Sequence, residues 1–494
     1  MTRLNRTTAP QGHLIGASAP ERTGIVHLGI GNFHRAHAAV YTAKAMAAQP
    51  GDWGIVGVAN RSRKVIDAMA EQDHLYSVLE LSPEGERADL VDVHRRTVVA
   101  AEQPAELRAA LADEQHKIIT MTISENGYLR NSVTGKLDLD SESVKADLAN
   151  FSEPRTMIGQ VASSMVRRFE GHQAPVTVLS CDNMQSAGHT SEALVRQFLQ
   201  ASGQGGAFFD WFEKSVSFPN AMVDRIVPAP NGHTRARVAE LLGMEDLAAV
   251  PAERFTMWVL EDRFAAGRPA WEQAGAIFSD EVEAYELVKL RLLNGSHSLI
   301  AYLGGLDGDE TIPSSRGQEF VAQCVDAAIR NEYLPSIGLP QGFDADAYIA
   351  ELFDRWNNHA LGDRTSRVGT DGSAKLQQRV PEPALRMLKR GEVPAQLALT
   401  VAAWICCVCP PVGFQPGPIA DEMGDPARER LAQVTAGAAS PRAHAEAVMT
   451  GGFFPEELAA QTEFTNLVAG FVEVIVREGV RAAAAEALAM APTH

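Results

Sequence analysis

Cysteine is scarce. Cys181, Cys324, Cys406, Cys407 and Cys409 are the five in 494 residues, too few for a disulfide scaffold. Three of them form "CCVC", but no second pair of ligands stands at finger-like spacing, so a metal site is not expected. They lie in the longest apolar run, 397–409, which reads as a core helix. That run stops at Pro410-Pro411 and is too short to cross a bilayer. The opening residues are polar and lack an apolar leader segment, so a cytoplasmic protein is expected. Positive charge is also in deficit, with 44 basic residues against 62 acidic and a net −18. Such a chain repels phosphate backbones and anionic lipid, which argues against nucleic-acid and membrane-surface partners.

The remaining composition, 45% hydrophobic and 21% charged, is that of a globular protein long enough for two or three domains. Apolar segments at 24–31, 53–60, 116–124 and 174–183 read as buried strands, separated by helical segments such as 32–49. Strands of this kind alternating with helices predict an α/β fold, a Rossmann-type doubly wound parallel sheet. Segments 221–228, 254–262 and 275–280 look like further strands without long helices between them, and are expected to extend the same sheet. From about residue 285 nearly everything is helical. The expected organisation is a dinucleotide-binding domain over 22–215 and a substrate domain over 216–490, all-α from about 285.

Gly29-Ile30-Gly31 follows the first strand and opens a helix, the context a dinucleotide fingerprint requires. Gly29 permits a tight turn, and Gly31 lets backbone amides approach a pyrophosphate. The third glycine is replaced by His34, so an ordinary strand–helix turn is the plain alternative. The second strand ends at Asn60, followed by Arg61, Ser62, Arg63 and Lys64, with no carboxylate before Asp67. The acid that usually holds the ribose hydroxyl is missing, so the 2′-phosphate of NADP is tolerated as well as NAD.

The segment 288–305, "VKLRLLNGSHSLIAYLGG", reads as a helix whose apolar rows are broken by Lys289, Asn294 and His297. At about 100° per residue these three point near 0°, 140° and 80°, on one broad face. A lysine among apolar neighbours has its pKa pushed down, toward use as a base. Asparagine offers a neutral donor to a developing alkoxide, and histidine orients a hydroxyl. That set suits alcohol oxidation by hydride transfer without a metal. The plain alternative is a snorkelling lysine, a helix break at Asn294-Gly295 and a satisfied core histidine.

The blocks "HLGIGNFHRAH", "SCDN", "SFPNAMVDRIVP", "WVLEDRFAAGRPAWE", "KLRLLNGSHS" and "DGSAK" stand in the order found in the polyol-specific long-chain dehydrogenases, and the chain resembles that family over about 24–485. The resemblance implies Lys289 as general base, Asn294 and Asn183 as an oxyanion pocket, and His297 on the same hydroxyl. It implies Val223 and Asp224 in the polyol site, with Arg367 and Lys375 on more distant hydroxyls. The cofactor-binding set is Gly29, Ile30, Gly31, Asn32, Phe33 and Arg61. The family implies a monomer with NAD, no catalytic zinc and a sugar-alcohol substrate of the mannitol type. A hexuronate oxidoreductase is the nearest alternative, its substrate carboxylate pairing with Arg367, Lys375 or His189. A dinucleotide-binding sensor without chemistry is the alternative of another class.

Overall fold

The computed structural model describes residues 1–131 and 134–490. The chain divides into two compact units, Met1–Glu283 and the part from Ala284 on. In chain order the strands are β1 (Thr23–Leu28), β2 (Gly54–Ala59), β3 (Tyr76–Ser82), β4 (Gly85–Val91), β5 (His94–Val99), β6 (Ile118–Met121), β7 (Val176–Ser180), β8 (Val216–Ser217), β9 (Ala221–Asp224), β10 (Val250–Glu253), β11 (Met257–Leu260) and β12 (Ile277–Phe278).

The first unit is built on a six-stranded sheet of order β5-β2-β1-β6-β7-β8, parallel throughout. Strands β1, β2, β6 and β7 are buried along their whole length, which is why they read as unbroken apolar runs. Their side chains alternate between two cores. Val26, Leu28, Val56 and Val58 join one, packed with helices Pro104–Ala112, Met157–Glu170 and Ala187–Ala201. Ile25 and Ile55 join the other, with helix Ala38–Ala48. The helix expected over 32–49 is two, Asn32–Ala36 and Ala38–Ala48, broken at His37.

Strands β9, β11 and β12 do not extend this sheet, contrary to expectation. They form a separate three-stranded sheet of order β12-β11-β9, in which β9 and β11 are antiparallel. The parallel sheet stops at the two-residue β8, and Pro219 follows shortly after. Proline has no N–H for a ladder, so the chain leaves the sheet there. These strands also belong to the unit ending at Glu283, not to a substrate domain beginning at 216. A third sheet, β10-β3-β4, contains a hairpin that the apolar runs did not signal, because β4 alternates charged and buried residues.

In the second unit the described residues form helices, joined by one isolated bridge between Thr311 and Arg364. At its centre lies helix Ala395–Val408, buried at every residue. Its N-terminal amides are capped by the buried Glu332 carboxyl, which accepts from Gln396 N at 2.7 Å and Leu397 N at 2.8 Å. Cys406 and Cys407 sit in this helix, and all five cysteines are buried free thiols. No helix among the described residues is long and apolar enough to cross a membrane.

Below the turn that follows β1, three imidazoles are buried together. His34 stacks on His27 with ring centroids 3.4 Å apart, and its Nε2 lies 3.1 Å from His94 Nε2. His27 bonds Thr120 Oγ1 at 2.8 Å and the Gly29 carbonyl at 3.0 Å. Burial pushes His27 down to about 3, and holds His34 and His94 well below their ordinary range. The rings therefore stay neutral in the folded chain, while unfolded imidazoles bind protons below pH 6.5 or so. Their contribution is complete above that pH and is lost as pH falls, by about 1.4 kcal/mol per pH unit for each ring. The denaturant midpoint should fall between pH 6.5 and 4.5, and less steeply in His34→Gln, by one ring's share. Equal slopes in the two proteins would mean that His34 titrates while folded.

Candidate functional site

The carboxyl ends of β1, β6 and β7 meet where the strand order reverses, the place where parallel sheets of this kind hold ligands. Gly29 follows β1 with φ +97°, a conformation that strains any residue with a Cβ. A Cβ there would also collide with the Thr122 carbonyl after β6. Glycine is thus what lets the turn cross the sheet edge. At Gly31 the space a Cβ would take is open, with only the Gly29 oxygen near, at 3.8 Å. Ile30 is buried against Gly57 of β2, so it can serve a ligand only through its backbone. Asn32 accepts from Arg35 at 2.7 Å, and Phe33 stacks on His37 with centroids 4.9 Å apart. His34, in place of the third glycine, is buried below the turn and faces no ligand site.

Beyond β2, Arg61 is exposed. Arg63 is paired with Asp67 at 3.2 Å and with Glu102, so its charge is already matched. No carboxylate stands at the end of β2 itself.

A cavity of about 450 Å³ opens at the switch point, lined among others by Phe33, Thr122, Tyr128, Asp182, Asn183 and Val223. Three expected site residues, Phe33, Asn183 and Val223, are thus brought together. Val223 arrives from the separate sheet, opposite Trp258, with the buried Asp224 next to it. Tyr128 and Asp182 were not anticipated as site residues. The Tyr128 hydroxyl donates to Asp182 and lies 3.2 Å from Ser180 Oγ, and burial with the Asp182 charge raises its pKa. This pair holds the backbone just before Asn183. Asp182 lay within the "SCDN" block, whereas Tyr128, in a short 3-10 turn at Glu125–Tyr128, carries no pattern in the sequence.

In the second unit the segment 288–305 is helical from end to end, but Lys289–Gly295 is a π-helix. Its i→i+5 bonds widen the turn, so residue i+5 comes round nearer to the face of residue i than the roughly 140° of an α-helix. Asn294 therefore lies closer to Lys289 than the α-helical wheel implied. Between Val288 and Ile300, Lys289, Asn294 and His297 are half-buried and every other residue is buried. The three polar groups thus share the one open face. Arg379 braces the turn, donating to the Asn294 carbonyl at 2.9 Å and to Ser298 Oγ at 2.6 Å.

His297 Nε2 lies 3.6 Å from Asp363 Oδ2. Burial pushes His297 down to about 4, against the raising effect of Asp363, so the ring is neutral at pH 7. Asp363 was not anticipated either. Its Oδ1 accepts from Arg367 Nε at 3.1 Å and from the same guanidinium's second nitrogen. The i,i+4 spacing of Asp363 and Arg367 is the signal that would have found it. Lys375 donates to the Val368 and Thr370 carbonyls at 3.2 and 2.6 Å, and burial lowers it to about 8. It ties down the C-terminal end of helix Thr365–Gly369, which carries Arg367.

Two family models match the chain, the mannitol dehydrogenase Rossmann domain over residues 23–273 and the mannitol dehydrogenase C-terminal domain over 281–475. A D-mannonate oxidoreductase of Escherichia coli is 34% identical over 92% of this chain and 94% of its own length. A polyol:NADP oxidoreductase of Gluconobacter oxydans is 34% identical over 78% of this chain and 80% of its own. The solved structure of Pseudomonas fluorescens mannitol 2-dehydrogenase, a ternary complex with NAD and D-mannitol, superposes with a TM-score of 0.85 at 29% identity, covering 99% of this chain and 100% of that one. With both domain models matched in order and relatives above 30% identity along nearly the whole length, the chain belongs to the mannitol dehydrogenase family of oxidoreductases.

Proposed function

We propose that this protein oxidises a secondary hydroxyl of a sugar alcohol to the ketone, of the D-mannitol to D-fructose type, with a nicotinamide dinucleotide as hydride acceptor. The observation that carries this reading is that Lys289 and Asn294 on the π-turn, and His297 on the α-helix that continues it, are half-buried while every other residue from Val288 to Ile300 is buried. The Gly29 turn, the open space at Gly31 and the cavity beside Asn183 fit a dinucleotide, which would be held by Gly29, Ile30, Gly31, Asn32, Phe33 and Arg61. When bound, its nicotinamide supplies the site to which the carbinol hydride goes.

Lys289 takes the hydroxyl proton as general base. Asn294 and Asn183 each offer an amide N–H to the alkoxide oxygen as charge builds on it. His297, neutral at pH 7, bonds the hydroxyl next to the reacting one without adding charge, because the reacting hydroxyl has a single proton and gives it to Lys289. Val223 and Asp224 line the polyol chain, with Arg367 and Lys375 toward its far hydroxyls.

The D-mannonate relative raises a second reading, a hexuronate oxidoreductase. That substrate carries a carboxylate and needs an uncommitted cation. Arg367 is matched by Asp363, Lys375 is bound to two backbone carbonyls, and His189 is bonded to Asn220. These commitments favour a neutral polyol. In an absorbance assay of cofactor reduction, D-mannitol or a related polyol should exceed D-mannonate in kcat/KM. The reverse order would establish the hexuronate reading.

Lys289→Ala should keep cofactor binding and lose roughly 10²–10⁴-fold in turnover. Wild-type oxidation should rise with pH through a single ionisation that the variant lacks. Near-normal turnover in a folded Lys289→Ala protein would remove the lysine from the mechanism.

Asn183→Ala and Asn294→Ala should each slow single-turnover hydride transfer at saturating cofactor, by about 3 kcal/mol of barrier. If only the cofactor dissociation constant changed, both asparagines would belong to the nucleotide site.

The end of β2 supplies no carboxylate to repel a 2′-phosphate, and rejection of a wrong ligand usually needs such an element. NADP should therefore be used measurably, with NAD preferred. Asn60→Asp should widen the NAD preference by roughly 1–3 kcal/mol, read as the ratio of kcat/KM values. A wild-type protein that already rejects NADP by many orders of magnitude would refute this account of the loop.

A further inference from the structure

His297 Nε2 and Asp363 Oδ2 face each other at 3.6 Å, both buried and neither with a hydrogen-bond partner. A pair of complementary buried atoms left unbonded this close is unusual, because desolvated polar groups are costly unless paired. The gap exceeds the 2.7–3.2 Å or so of an N–H···O bond, by no more than a small side-chain rotation closes. Catalytic hydrogen bonds are often long before substrate binds and tighten afterwards. Asp363 has one direction left to bond. Its Oδ1 is taken by Arg367, and its side chain is only 4% exposed, so bulk water does not compete for Oδ2.

We propose that Asp363 is a positioning residue for His297: its Oδ2 accepts from Nε2–H in the loaded site, leaving the Nδ1 lone pair to accept from the substrate hydroxyl next to the reacting one, whose own proton goes to Lys289. A neutral imidazole has one N–H and one lone pair, so the group facing one nitrogen decides what the other offers. A carboxylate can only accept, which selects the Nε2–H form. The charged groups facing His297 are Asp363, Arg355, Arg367 and Arg379. Burial above all, with the three guanidiniums set against the raising effect of Asp363, resists protonation, so the ring works as a neutral group. Arg367 then serves the reaction by holding Asp363. The pairing is a property of the second unit alone. Its consequence for catalysis rests on the reading of His297 given above.

The test is the tautomer of His297, read by NMR of the full chain with 15N-labelled histidine in the presence of NAD and D-mannitol. The resonance is identified by its loss in His297→Gln. The wild-type ring should carry its proton on Nε2, and an Nδ1–H ring would overturn the proposal. In Asp363→Asn the amide oxygen should stay with Arg367 and turn the NH₂ toward Nε2. The ring should then switch to Nδ1–H, and kcat/KM for the polyol should fall on the order of 10–100-fold with the cofactor dissociation constant unchanged. A ring that keeps its tautomer in this variant overturns the role of Asp363. A ring that switches with no loss of kcat/KM overturns instead the placement of His297 on the substrate. If Asp363→Asn does not fold, the wild-type tautomer alone decides.

Discussion

The rotational phase of the π-turn Lys289–Gly295 is the constraint on which the candidate site in the second unit depends. Arg291, 1% exposed, fixes it from within. Its guanidinium bonds the Ser336 carbonyl, Ser336 Oγ at 3.0 Å and the Glu382 carboxylate, so this residue cannot turn outward without leaving the buried Ser336 groups unpaired. Gly295 fixes the phase a second time, because a Cβ there would sit about where the Tyr333 ring lies. With Arg291 and Gly295 turned inward, Lys289 and Asn294 are left on the open side. A π-turn costs hydrogen-bond geometry, and such turns are common at functional sites. Here it brings Lys289 and Asn294 toward one face on a frame held by buried contacts.

The first unit meets a different demand, the close approach of backbones at a sheet edge. Gly29 supplies it, and the buried histidines beneath the turn replace the usual third glycine with stacked rings. The separate sheet has its own consequence. Because the chain leaves the parallel sheet after β8, Val223 can line the cavity beside Asn183, which a seventh parallel strand would not do. Tyr128 and Asp182 hold the approach to Asn183 by a hydrogen bond closed off from water.

Polar groups around the second-unit face are for the most part engaged with each other. Arg367 holds Asp363, Lys375 gathers two carbonyls, and Arg379 braces the Asn294 carbonyl. The result is a polar surface with few uncommitted charges, suited to recognising hydroxyls by hydrogen bonding.

Local pattern in the sequence determined the parallel core strands, the helical second unit, the Gly29 turn and the polar trio in the apolar helix, because each is a matter of periodicity or of one residue's conformational freedom. It determined the burial of Cys406, Cys407 and Cys409 for the same reason. The α-helical wheel misjudged Asn294, since an i→i+5 turn is imposed by packing at Arg291 and Gly295 and has no period of its own to read. The allocation of β9, β11 and β12 was also beyond it, since strand pairing is set by long-range register and by where Pro219 ends a ladder. Asp363 beside His297, and Tyr128 beside Asp182, are contacts between residues 66 and 54 positions apart in the chain. Only the tertiary structure decided those, because a buried contact across that distance is made by the fold and not by any neighbour in sequence.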